Sequence, residues 1–156
     1  MPSVYLETTI VSYLAAKPSR DLIIAAHQQI THDWWQSAHA RFELYVSEAV
    51  LDEITAGDPD AAARRAMLVE HVPVLQFSDD VTQLISEYDG RLGLVGRARA
   101  DLAHLAFAVA YGLEYLVTWN CHHLANGEMI RRLRDANDEL GRRSPIIVTP
   151  EELLEP

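Results

Sequence analysis

The chain has 156 residues, 49% hydrophobic and 23% charged, with a formal net charge of −10 and a single cysteine, Cys121. That is the size and make-up of one folded domain, 1–156, able to bury a core without disulfides; it excludes a disordered chain and a disulfide-stapled secreted scaffold. No basic leader with an apolar stretch opens the sequence, and no apolar run matches a bilayer, so a soluble, cytoplasmic protein with no membrane association is expected.

In chain order, Ser3–Glu7 is a short β-rich segment followed by Thr8-Thr9, a cap for a helix over Ile10–Ala16. Pro18-Ser19 opens a long helix to about Ala40, with Leu22, Ile23, Ala26, Ile30 and Trp34 on one broad stripe. Trp34 and Trp35 are adjacent on that helix and cannot both point at one core. Phe42–Val46 reads as a second strand, and Ser47 caps a helix Glu48–Ala56 that stops at Gly57. Asp58-Pro59 starts a helix to about His71, Val72–Phe77 is the weakest strand, and Ser78–Tyr88 is helical. Asp89–Arg99 holds three glycines and reads as a loop. Asp101–Tyr111 is apolar almost all round, as a buried helix is, and Gly112 ends it. A strand Tyr115–Thr118, a loop Trp119–Ala125, a helix capped by Asn126 and closed by Gly141, and a strand Ile146–Val148 complete the chain. Strands alternating with helices predict an α/β fold of three layers, a mainly parallel sheet with helices on both faces.

Ligands of such sheets bind beyond the carboxyl ends of the strands, so the acids near those ends are the candidates. Glu7 ends the first strand, Glu53 lies in the helix after the second, Asp101 begins the buried helix and Asn120 follows the Tyr115–Thr118 strand. Carboxylates brought together repel one another unless a cation neutralises them, and Mg²⁺ suits oxygen ligands of this kind. Each position also has a plainer reading. Asp101 suits a helix N-terminus, and Glu48, Asp52 and Glu53 suit a solvated helix face. His104, three residues after Asp101, can orient that carboxylate or be a satisfied core histidine. Cys121-His122-His123 lacks the spacing and the fourth ligand of a zinc site.

Four segments carry a family likeness: Val4-Tyr5-Leu6-Glu7-Thr8-Thr9-Ile10-Val11-Ser12-Tyr13-Leu14, Val50-Leu51-Asp52-Glu53-Ile54, Asp101-Leu102-Ala103-His104-Leu105-Ala106 and Leu116-Val117-Thr118-Trp119-Asn120. In this order they resemble the successive motifs of PIN domains, with the nearest likeness to VapC-type toxins of toxin–antitoxin pairs. The tail from Ile147 to Leu154 is similar to how such chains end. The resemblance implies a PIN-like fold and RNA cleavage dependent on Mg²⁺, with Mn²⁺ as a possible substitute. It implies Glu7, Glu53 and Asp101 as metal ligands and catalytic acids, with Asn120 at the fourth acid position. Thr8 and Thr118 match supporting hydroxyl positions. Two departures stand out: Glu7 where the family usually has Asp, and the neutral Asn120 where it often has an acid. The implied partners are an RNA substrate, a small antitoxin protein and a second copy of the chain, with the helix from Pro18 near a homodimer interface.

The net charge of −10 does not exclude RNA, because the charge is unevenly spread. Residues 91–143 hold eight arginines against six acids, whereas the rest holds five basic residues against 17 acids. A receiver domain is excluded because the only lysine is Lys17, and a haloacid-dehalogenase-like phosphatase because Glu7-Thr8-Thr9 is not Asp-x-Asp. The remaining alternative is a degenerate PIN module that binds RNA or protein without cleaving, which Asn120 favours.

Overall fold

Five short strands, β1 (Ser3–Leu6), β2 (Glu43–Ser47), β3 (Val74–Leu75), β4 (Tyr115–Val117) and β5 (Ile146–Val148), pair in parallel in the order β3-β2-β1-β4-β5. The structure is a computed structural model and describes residues 1–156. Central β1 pairs Tyr5 with Tyr45 on one side and with Leu116 on the other. Its Val4, Tyr5 and Leu6 are fully buried, as a parallel strand covered on both faces requires.

The connections decide which helices lie where. From β1 the chain reaches β2 through α1 (Thr8–Ala15) and α2 (Leu22–Arg41), then β3 through α3 (Glu48–Ile54) and α4 (Pro59–Leu68). It then returns across the sheet to β4 through α5 (Asp79–Arg91), a 3₁₀ turn Gly96–Ala100 and α6 (Asp101–Ala110), and reaches β5 through α7 (Gly127–Leu140). Right-handed crossovers stepping in opposite directions place their helices on opposite faces. The packing agrees: α1 packs on α2, α3 and α4, while α5 packs on α6 and α7. The direction reverses between β1 and β4, so the crevice at the switch point opens beyond Leu6 and Val117. No helix is long and apolar enough to cross a membrane.

Three local expectations are corrected. Helix α1 is capped by Glu7, whose side chain accepts from the Thr9 amide, and not by the threonines. Helix α2 begins at Leu22, because the Asp21 carboxylate takes the amides of Ile23 and Ile24 at 2.9 and 3.1 Å while the Ser19 amide is drawn off to Gln28. At 20 residues α2 is ~30 Å long, and its buried positions begin only at Gln28. Leu22 and Ile23 are consequently 86% and 70% exposed instead of lying on the buried stripe, which is formed by Gln28, Thr31, Trp34 and Ala38. Helix α5 runs through Gly90 to Arg91, so the glycine loop starts later than its composition indicates. The tryptophan pair divides as helical geometry demands: Trp34 is fully buried, and Trp35 is half-buried with its ring edge-on to His39.

Candidate metal centre

Glu7 leaves β1 at the switch point and is nearly fully buried, at 3% exposure. Only its Oε1 is engaged by the protein. That oxygen accepts from the Thr9 amide at 3.2 Å, from the Thr9 hydroxyl at 2.6 Å and from the Thr118 hydroxyl, which arrives from the end of β4. Thr9 is itself fixed, since its Oγ1 accepts the Trp119 amide at 2.8 Å. The carboxylate therefore bridges β1, α1 and the turn after β4.

Glu53 is reached by a different route. His104, on α6 and fully buried, has Nε2 2.8 Å from Glu53 Oε1 and Nδ1 2.7 Å from the Tyr5 hydroxyl. Tyr5 in turn lies 2.7 Å from Ser47 Oγ, which accepts the Val50 amide as the α3 cap. The Glu53 carboxylate oxygen can only accept, so Nε2 carries a proton and donates to it, and every polar atom in this buried chain then finds a partner. Burial alone lowers the His104 pKa, but the Glu53 hydrogen bond and the negative charges of Glu7, Glu53 and Asp101 outweigh it and raise the value. For Glu53 burial raises the pKa, yet the bond to His104 and its charge bring it below the ordinary glutamate value. Ligand atoms of Glu7, Glu53 and His104 all lie within 4.8 Å of one another.

Asp101 opens α6 one turn before His104 and is half-buried. Its Oδ2 accepts from the Asn120 amide group at 3.1 Å, and Asn120 Oδ1 accepts the His123 amide at 2.9 Å. Burial, and then the charge of Glu7, raise the Asp101 pKa, against the lowering influence of His104 and Asn120. Asn120 thus sits beside Asp101, where a second acid would add repulsion and the amide adds a hydrogen bond instead. Thr8, the residue after Glu7, has a buried hydroxyl with no hydrogen-bond partner.

The donor set suits a hard divalent cation. Each of the three acids has one oxygen tied to the protein and one without a partner: Glu7 Oε2, Glu53 Oε2 and Asp101 Oδ1. Both His104 nitrogens are engaged, so the open donors are carboxylate oxygens, the choice of Mg²⁺ and Mn²⁺.

The structure brings Glu7, Glu53, Thr8, Thr118 and His104 to one place, with Asp101 and Asn120 joined at its side. Of the two readings of His104, the structure matches the satisfied core histidine: both ring nitrogens are engaged, by Tyr5 and Glu53, and neither by Asp101. Sequence reasoning missed Tyr5, Ser47 and Thr9 as parts of the site. Thr9 had a signal, because a hydroxyl two residues after a strand-end acid can bond back to it. Tyr5 had only a faint one, a phenol inside an otherwise aliphatic strand.

No protein-family model and no curated protein matches the sequence. Solved structures do resemble it. The VapBC2 structure from Rickettsia felis, bound to a DNA fragment from its promoter, superposes with a TM-score of 0.61 at 15% identity, covering 94% of this chain and 97% of that one. VapC20 of Mycobacterium tuberculosis, a toxin that cleaves the sarcin–ricin loop, gives 0.57 at 19% identity over 73% of this chain and 87% of that one. VapBC-1 from nontypeable Haemophilus influenzae gives 0.56 at 18% identity over 85% of this chain and 92% of that one. With these neighbours and the β3-β2-β1-β4-β5 parallel sheet, the chain has the PIN-like α/β fold of the VapC-type toxins.

Proposed function

We propose that the chain is a divalent-cation-dependent endoribonuclease, the toxin of a pair whose small antitoxin covers the acidic crevice. The observation that carries this reading is the pair Glu7 and Glu53, each with an open oxygen, clustered with His104 within 4.8 Å, with Asp101 outside that cluster but near enough for the charge of Glu7 to act on it. The RNA-cleaving and antitoxin-bound neighbours of the same fold support the substrate and the partner.

Glu7, Glu53 and Asp101 would hold the cation, Mg²⁺ or in its place Mn²⁺. When bound, such an ion lowers the pKa of water and stabilises charge on a phosphate undergoing displacement. The chain supplies the positioning. Thr9 and Thr118 fix the rotamer of Glu7, His104 fixes that of Glu53, and Asn120 turns Asp101. The buried Thr8 hydroxyl lies beside the Glu53 carboxylate, whose pKa it helps to lower. The charges of Glu7 and Glu53 raise the pKa of His104, which favours a proton on the ring between them.

The test is cleavage of single-stranded RNA by purified protein, lost in EDTA and restored by Mg²⁺ or Mn²⁺. Glu7→Gln and Asp101→Asn each remove a ligand charge and little volume, so each abolishes cleavage while the fold stays intact. Full activity in both variants, with contaminating nuclease excluded, contradicts the proposal. The second reading, a module that binds RNA without cutting it, is favoured by the amide of Asn120 against Asp101 and predicts RNA binding with no product under any metal.

A further inference from the structure

Outside residues 91–143 the chain has five basic residues, Lys17, Arg20, Arg41, Arg64 and Arg65, among 17 acids. Three of these five, Lys17, Arg64 and Arg65, line one cleft of about 190 Å³ between the end of α1 and α4, and no acid lines it. Arg65 is locked in place. Its Nε donates to the Ile54 carbonyl and its Nη2 to the Ala56 carbonyl, both at 2.8 Å, closing the end of α3. Lys17 and Arg64 are exposed and take part in no salt bridge or side-chain hydrogen bond, and Asp60, one turn before Arg64, does not pair with it. Of the eight arginines in the 91–143 segment, Arg91, Arg99, Arg131, Arg132 and Arg142 are tied to carboxylates, while Arg97, Arg134 and Arg143 are unpaired but do not line this cleft. Unpaired cations in a concave site concentrate a positive field that paired ones do not produce. The rest of the lining is Ser12 and three alanines, small enough for a sugar–phosphate backbone to approach.

Two elements join this cleft to the carboxylate centre. Helix α1 starts from its Glu7 cap and ends at the cleft eight residues later, ~12 Å away. On the other side, Arg65 grips Ile54, the residue next to Glu53. A stacked strand rises ~3.4 Å per nucleotide, so ~3–4 phosphates separate the two places.

We infer that the Lys17–Arg64–Arg65 cleft is a phosphate-binding track that holds the RNA backbone beside the carboxylate centre. The choice of RNA as the polyanion rests on the function proposed above; the cleft's charge and shape are independent of it. An acidic macromolecule held only at the cleft would be attracted to it, whereas at the carboxylate centre the same anion is repelled. The track therefore gives an otherwise acidic face a means of holding its substrate.

The test uses the full-length protein and a fluorescent, 2′-O-methylated oligoribonucleotide that cannot be cut, with anisotropy followed against NaCl in EDTA. Lys17→Ala and Arg64→Ala should each weaken binding irrespective of sequence. Each should flatten the log–log salt dependence by about 0.7, and the double variant by about 1.4. Mn²⁺ affinity and Tm should be unchanged in all three. Wild-type salt slopes in the double variant overturn the inference, as does a wild type with no affinity for the oligonucleotide, or a cleft that takes an acidic peptide in preference to it. Salt slopes that respond to Lys17 and Arg64 in a protein that binds no Mn²⁺ would sink the nuclease reading and leave the track standing. Tight Mn²⁺ binding with unresponsive slopes would do the reverse.

Discussion

At the scale of single residues, the site depends on which oxygen of each carboxylate the protein keeps for itself. Three donors hold Glu7 Oε1 and one holds Glu53 Oε1, and in each the other oxygen is left for a ligand. Glu53 has a side chain 41% exposed and would sample several rotamers if His104 did not hold it. The Tyr5 hydroxyl controls that hold, because it fixes the His104 ring from behind. Tyr5→Phe keeps the ring and removes the hydroxyl; because Tyr5 acts on Glu53 through His104, Mn²⁺ binding should weaken by less than the ~10–100-fold expected for loss of a ligand's direct hydrogen-bond partner. Stability should fall by only ~1–3 kcal/mol, from the buried partners left unpaired. Calorimetric Mn²⁺ titration beside urea unfolding separates the two effects, and an unchanged Mn²⁺ affinity would make Tyr5 a packing residue only. The sequence offered Glu7, Asp101 and Asn120 as candidates by their places at strand ends and a helix start, and Glu53 mainly through its likeness to a PIN motif. It did not disclose the Glu53–His104 bond, since only the fold brings together residues 51 positions apart.

Among the elements, the caps of α3 and α7 were legible in Ser47, Asn126 and Gly141, each of a type that satisfies a helix end locally. The start of α2 was not, because Ser19 and Asp21 are both good caps and the choice is made by Gln28 taking the Ser19 amide. Helices α5 and α7 are joined by contacts that sequence spacing cannot show. Tyr88, fully buried, donates to Asn137 Oδ1, and Asn137 Nδ2 donates to Ser144 at 2.8 Å. Burial pushes the Tyr88 phenol up to about 12, so it remains a donor across the working pH range. Asn137→Ala strands that buried hydroxyl and should cost ~1–3 kcal/mol in urea unfolding; a neutral result would mean that water replaces the amide. Nearby, the Arg142 guanidinium holds the Asp80 carboxyl below the ordinary aspartate value. A depressed folded pKa adds stability that is fully present above ~3.9, the unfolded value, and is lost as pH falls through the lower folded value. Both partners are substantially exposed, so screening limits the contribution to at most ~1 kcal/mol. Asp80→Asn should therefore be slightly less stable than wild type at pH 7 and equal to it once the pH has fallen below the lowered folded value of Asp80, and a gap that persists in acid would assign the effect to packing.

Across the whole molecule, the order of motifs along the chain was enough to read a parallel α/β sheet with its site at the strand ends. The exposed first turn of α2 was not readable, because the hydrophobic pattern placed Leu22 and Ile23 on the buried stripe, whereas the buried positions are Gln28, Thr31, Trp34 and Ala38. That apolar turn and the half-buried Trp35 lie on the helix expected at a homodimer interface. Sedimentation equilibrium should find a dimer that Leu22→Ser with Ile23→Ser loosens. Tm of the monomer should hardly move, since exposed substitutions cost within ~0.5 kcal/mol. A wild-type monomer at high concentration would remove this interface. The central claim, that Glu7, Glu53 and Asp101 together hold a divalent ion, is tested most directly by crystals soaked in Mn²⁺ and measured at a wavelength where manganese scatters anomalously. The account predicts one anomalous peak in the switch-point crevice, coordinated by carboxylate oxygens of Glu7, Glu53 and Asp101, and its disappearance in Glu7→Gln. An empty crevice at saturating Mn²⁺, or a peak held by other residues, would contradict it.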